Sequence, residues 1–197
     1  MAKNAGDIIL RDRMQFDLDA SGDRTTLYGR IDLSSYVNAV SRDGLAIKQV
    51  LFQLRDQSGG NPNTGSFNLV AETLSASGST QQNAVLKIYA TTRAYENASE
   101  VGIASPDVLC VYEAYSVVGA TPSGTAPTFL MKENFYGPKD LHPEGFTVVS
   151  DLLIGVAADT WGSQGGDTLE IDIMLIAEPI KITTERMNEI LSQAQDL

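Results

Sequence analysis

Cysteine, histidine and tryptophan each occur once in this 197-residue chain, and 14 Lys and Arg stand against 25 Asp and Glu. One cysteine, Cys110, excludes an intrachain disulfide. It lies in the apolar run Val108–Val111 without a local base, and reads as a small buried hydrophobe, not a nucleophile. One histidine, His142, cannot build a multi-histidine zinc or cupin-type site, and Pro138 and Pro143 place it in an exposed loop. The net charge of -11 argues against a surface that neutralises phosphates, because nucleic-acid affinity comes mainly from Lys and Arg displacing counterions. Long apolar runs are also missing. The longest, Leu152 to Ala158, falls far short of the roughly 20 residues that a spanning helix needs. Residues 1–10 carry one Lys and no stretch of signal-peptide length. No export signal is therefore expected, and the acceptor pattern Asn97-Ala98-Ser99 is expected to go unused.

What is there is alternation. Hydrophobic residues make up 43% and charged residues 20%, a globular composition at a length of about one domain. From Leu45 to Arg55 the odd positions share one face, and Ala46, Lys48, Val50, Phe52 and Leu54 share the other, the more continuously apolar. A strand needs that period of two, and a helix does not produce it. The same pattern predicts strands over residues 8–18, 24–33, 67–74, 84–92, 107–118, 128–136, 146–156 and 168–178. In the last, Leu169, Ile171, Ile173, Leu175 and Ala177 point one way. Polar connections rich in Gly, Ser and Asn separate them, at Gln57–Ser66, Ser75–Gln82 and Gly119–Pro127. The turn cluster Asp19–Asp23 is expected to join the first two strands as a hairpin. Ser34–Val40 is expected to form one helical turn.

Eight or nine strands at such spacings leave no room for helical crossovers. The expected architecture is all-β, an eight-stranded antiparallel jelly-roll sandwich over residues 1–180 with a C-terminal α-helix in 181–197. No internal repeat suggests a propeller. In that last segment Met187, Ile190, Leu191 and Ala194 fall at i, i+3, i+4 and i+7. A helix of this length is marginal alone, so its stripe rests either on its own sandwich or on a neighbouring subunit. The second option makes Met187, Ile190, Leu191 and Ala194 candidate assembly contacts.

Chemistry is sparse. Asp17, Asp19, Ser21, Gly22 and Asp23 spell the opening of a calcium loop, but Tyr28 stands where the bidentate Glu belongs, so an acidic turn is the better reading. The Gly-rich loop Gly59–Gly65 lacks the Gly-Lys-Ser/Thr ending that holds phosphate. Glu170 and Asp172, two apart on one strand face, have the spacing of an acid–base pair yet read as a solvated face. Tyr89, Tyr95, Tyr112, Tyr115, Phe129, Phe135, Tyr136 and Trp161 could form a sugar-stacking platform, or fill core and interfaces. No catalytic residue, cofactor, metal or small-molecule substrate is assigned.

The phrase Tyr28-Gly29-Arg30-Ile31-Asp32-Leu33-Ser34-Ser35-Tyr36-Val37, followed by Gly44-Leu45-Ala46-Ile47-Lys48 and Phe52-Gln53, resembles single jelly-roll capsid proteins of icosahedral aquatic viruses. The resemblance covers roughly Tyr28 to Asp56, and none of these residues has a chemical role. It implies a virion protein, assembled in the host cytoplasm, whose partners are copies of itself and a second capsid protein. Many such subunits carry a basic genome-binding arm, whereas residues 1–13 hold only Lys3, Arg11 and Arg13. No direct nucleic-acid binding is expected, and the resemblance implies an inner face turned to an internal membrane or another protein layer. The alternative is a carbohydrate-binding or adhesin-like β-sandwich that uses exposed aromatics and calcium at Asp17–Asp23.

Overall fold

A computed structural model describes residues 6–56, 63–67, 82–119, 129–143, 145–161 and 165–193. Among them are nine strands: β1 (Ile8–Asp17), β2 (Arg24–Ile31), β3 (Asp43–Asp56), β4 (Gln82–Thr91), β5 (Val108–Val118), β6 (Phe129–Tyr136), β7 (Phe146–Val148), β8 (Leu152–Asp159) and β9 (Thr168–Lys181). Short helices follow β6 (Pro138–Leu141) and β9 (Thr184–Gln193).

Two antiparallel sheets face each other, one in the order β1-β9-β3-β7 and the other β2-β8-β4-β5-β6. The pairings are nested. β4 pairs with β5, β3 with β7, β2 with β8 and β1 with β9, so the chain is one long hairpin rolled across two layers. That nesting is the jelly roll, with β6 added outside β5 as a further edge strand. The expected hairpin of β1 and β2 does not form. The turn after β1 carries the chain from one sheet to the other, because each strand finds a better partner at the far end of the sequence. The expected strand over 146–156 is two strands in different sheets, with a bend between them. The expected strand over 67–74 lies almost wholly outside the described residues.

The core is the space between the layers. Leu169, Ile171, Ile173, Leu175 and Ala177 of β9 all face it, as their alternation predicts, opposite Leu152, Ile154 and Val156 of β8 and Leu86 and Ile88 of β4. In β3 the alternation breaks once. Ile47 pairs with Ala177 and Gln49 with Ile176, so Lys48 is an extra residue in a bulge. Leu45 and Ile47 face inward before it, Val50, Phe52 and Leu54 after it. A single alternating face from 45 to 55 is thus wrong by one residue at Lys48. That side chain points out to Asp7 at 2.6 Å and Glu178 at 2.9 Å.

The outer face of the five-stranded sheet has its own small core. The segment between β4 and β5 folds across it, and Tyr89, Ala98, Val101, Val108 and Val111 are buried there, with Tyr28, Tyr95, Tyr136 and Leu141 at the margin. Trp161, in a loop by sequence, is fully buried in the main core and donates from Nε1 to the Val85 carbonyl at 2.9 Å. His142 is not in an exposed loop either. It is half-buried against Phe146, with Nε2 at 2.7 Å from the Val108 carbonyl, tying the helix after β6 to β5.

Candidate functional site

β6 reads FLMKENFY, and its register on β5 runs from Val118 opposite Phe129 to Val111 opposite Tyr136. Phe129, Met131, Glu133 and Phe135 therefore share the inner face, and Leu130, Lys132, Asn134 and Tyr136 the outer. An inner position normally means burial, but here it does not. Across the sandwich the four-stranded sheet ends at β7, whose three residues pair only with Leu45–Ile47. Phe135 reaches Phe52 of β3 edge-on, with ring centroids 6.5 Å apart, and the rest of the strand overhangs. Phe129 and Leu130 are each 59% exposed, Met131 50%, Phe135 43% and the adjacent Tyr115 39%. The charges on this strand are Lys132 and Glu133, and Glu133 accepts a hydrogen bond from the Tyr112 hydroxyl at 3.1 Å. Burial, then the Glu133 carboxylate, holds the Tyr112 phenol above its ordinary pKa.

Among the described residues, nothing pairs with the far edge of β6. An exposed edge strand with apolar side chains on both faces is a template for pairing with another chain. Sequence reasoning placed this strand but missed the patch. Phe129 and Phe135 entered only as two of eight aromatics, because exposure depends on which strand ends a sheet.

The other candidates fall elsewhere. Glu170 and Asp172 lie on the outer face of the four-stranded sheet, but not as free carboxylates on a solvated face. Glu170, 4% exposed, accepts from Gln15 at 2.5 Å and lies near Arg13 and Arg55. Asp172 accepts from Arg13 at 2.6 Å, and that bond holds its pKa below the usual carboxylate value. A shallow groove of about 720 Å³ beside them is lined by Arg11, Arg13, Leu51, Gln53, Asp172 and Met174 among others.

In the Asp17–Asp23 turn, Asp19 accepts from the backbone N–H groups of Ser21 and Asp23, which lowers its pKa. Asp23 accepts from Thr160 N–H and Asp17 from the Thr168 hydroxyl. These carboxylates fasten the crossing between the sheets. Among the described residues, no group of three or more His, Cys, Asp or Glu could hold a metal ion. Cys110 is fully enclosed, and burial pushes its thiol up to about 12. The eight aromatics do not form one surface: Tyr89 and Trp161 are buried, Tyr95, Tyr112 and Tyr136 half-buried, and only Tyr115, Phe129 and Phe135 exposed.

Of the four helix positions, Met187 is buried within its own chain at 4% exposure, and Ile190 is half-buried. The Leu191 side chain and Ala194 lie outside what is described. β9 runs through Lys181, and Ile182 beyond it is buried, so the sandwich continues slightly past residue 180.

No family model matches the chain, and no curated protein does. Among solved structures, a chain of Desmodium yellow mottle tymovirus aligns with 91% of this chain and 92% of its own length, at 9% identity and a TM-score of 0.28.

Proposed function

We propose that this protein is a structural subunit of an icosahedral virus shell, built to associate with copies of itself. The observation that carries this reading is the crowding of apolar side chains along one sheet edge of an otherwise acidic body. Large exposed apolar patches rimmed by polar residues mark contact surfaces. The rolled-hairpin topology and the resemblance of Tyr28–Val37 to jelly-roll capsid subunits agree with it. Elsewhere among the described residues, many charged side chains are engaged in ion pairs and turns, Arg13 and Asp172 beside the shallow groove included. The proposal includes the finer points of that resemblance: residence in the virion after assembly in the host cytoplasm, a second coat protein as partner, and an inner face set against a membrane or protein layer, not against nucleic acid.

The last helix is the second proposed contact. Met187 is buried in the single chain, so Ile190 and, by their sequence spacing, Leu191 and Ala194 are the proposed contact positions. Size-exclusion chromatography and negative-stain microscopy of the purified protein test the reading. Rings or shells are expected. A monodisperse monomer across a wide concentration range overturns it.

A further inference from the structure

We infer that two copies of this chain join edge to edge through β6, antiparallel about a twofold axis, merging their five-stranded sheets into one. The inference rests on the shell-subunit reading and names the surface it uses. The apolar side chains of Phe129, Leu130, Met131 and Phe135 leave about 420 Å² exposed on β6, taking ~200 Å² for a large side chain. A standard interface removes about 800 Å² from each partner, so this patch supplies more than half of one. Charge selects the occupant. Two bodies of net charge -11 repel wherever their acidic surfaces meet, whereas on β6 Lys132 and Glu133 cancel. A second copy meets no net charge along this strand.

Geometry then restricts the register. A twofold perpendicular to a sheet keeps inner faces inner, so each residue must oppose one of its own face in the copy. Centring on Lys132 pairs Phe129 with Phe135 but opposes two ammonium groups and sets Met131 against Glu133 and Leu130 against Asn134. Centring on Glu133 sets Met131 against Phe135 and Leu130 against Tyr136, each twice by symmetry, and leaves the Glu133 pair as the one mismatch. Aromatic and apolar cross-strand pairs stabilise, and like charges directly opposite destabilise. The Glu133 register is the better one, and it makes Glu133 a brake on association.

Three measurements on the full chain test this. Sedimentation velocity over a concentration series compares the wild type with Leu130→Lys/Met131→Glu and with Glu133→Gln. A melting curve of each variant checks folding. Hydrogen exchange of the wild type, concentrated and dilute, reads β6 directly and needs no variant. The expected results are an association lost in the double variant, tightened about threefold in Glu133→Gln, and β6 amides that gain protection on concentration. A wild type that associates with β6 amides unchanged, or a folded double variant that associates normally, overturns the edge-to-edge pair and leaves the shell reading standing. A wild type that never associates overturns both.

Discussion

Gly155 of β8 lies in register beneath the ring of Tyr89 on β4, and a Cβ added at Gly155 would overlap that ring. Tyr28 flanks the same glycine on β2, and the two hydroxyls meet above it at 2.7 Å. The rings stand edge to face, 5.9 Å apart. The glycine is the hollow over which two tyrosines from different strands touch, and the small outer core is built on that contact.

Gly155→Ala is expected to destabilise the fold by about 1–3 kcal/mol, the range for forcing atoms into a packed core. Urea denaturation checks it. A midpoint equal to wild type would mean the Tyr89 ring can move aside at no cost.

Tyr28→Phe removes a hydroxyl that donates to the Tyr95 carbonyl and accepts from Tyr95 N–H at 2.7 Å. Orphaning these half-buried groups is expected to cost about 1–3 kcal/mol. Loss should show first as faster hydrogen exchange between β4 and β5, the segment that Tyr28 pins. Uniform acceleration over the whole sandwich would contradict that local role.

Asp172 has a folded pKa below its unfolded value because Arg13 bonds the carboxylate. Its contribution to stability is therefore complete above about pH 4 and lost as pH falls through the lower folded value. Arg13→Gln is expected to flatten the stability curve in that acid window and to leave its shape near neutrality unchanged. Chemical denaturation from pH 2 to 7 measures it, and parallel curves for the two proteins would remove Arg13 as the cause.

Cys110 should not react with a thiol reagent at pH 8 while the protein is folded, since burial both shields the sulfur and suppresses the thiolate. One thiol should appear on adding urea. Rapid labelling of the folded protein would show that β5 opens locally.

The last helix separates packing from contact. Met187→Ala is expected to lower stability by about 2 kcal/mol or more, because the side chain is buried. Ile190→Lys is expected to leave the melting temperature within a degree or two of wild type and to weaken assembly. Truncation after Pro179 is a poorer test, since it also removes the buried Ile182. Equal assembly of wild type and Ile190→Lys would take the helix out of the contact surface.

What could be read in the sequence was whatever is local and regular. The Leu169–Ala177 alternation held because β9 is central and buried along one face throughout its length. The bulge at Lys48 was invisible, since Gln49 and Val50 are as acceptable to either parity as their neighbours. Asp19–Asp23 looked like a hairpin because turn residues report a reversal and not which strand comes to pair. Trp161 and His142 sat among Gly and Pro, and what they pack on is distant in sequence, the main core with Phe67 for Trp161 and the Val108 carbonyl of β5 for His142. The exposure of Phe129 and Leu130 required knowing that β6 ends its sheet.

The nesting of strands has a consequence in time. Arg13 and Asp172, bonded across β1 and β9, are 159 residues apart in sequence. On a ribosome the first strand emerges long before its partner exists, and the outermost pair, β1 with β9, can close only last. Such distant closure makes folding slow and leaves the apolar flank of β1 uncovered during synthesis. The body is therefore complete only once the last strand is made, and any surface formed by the finished sandwich comes after it.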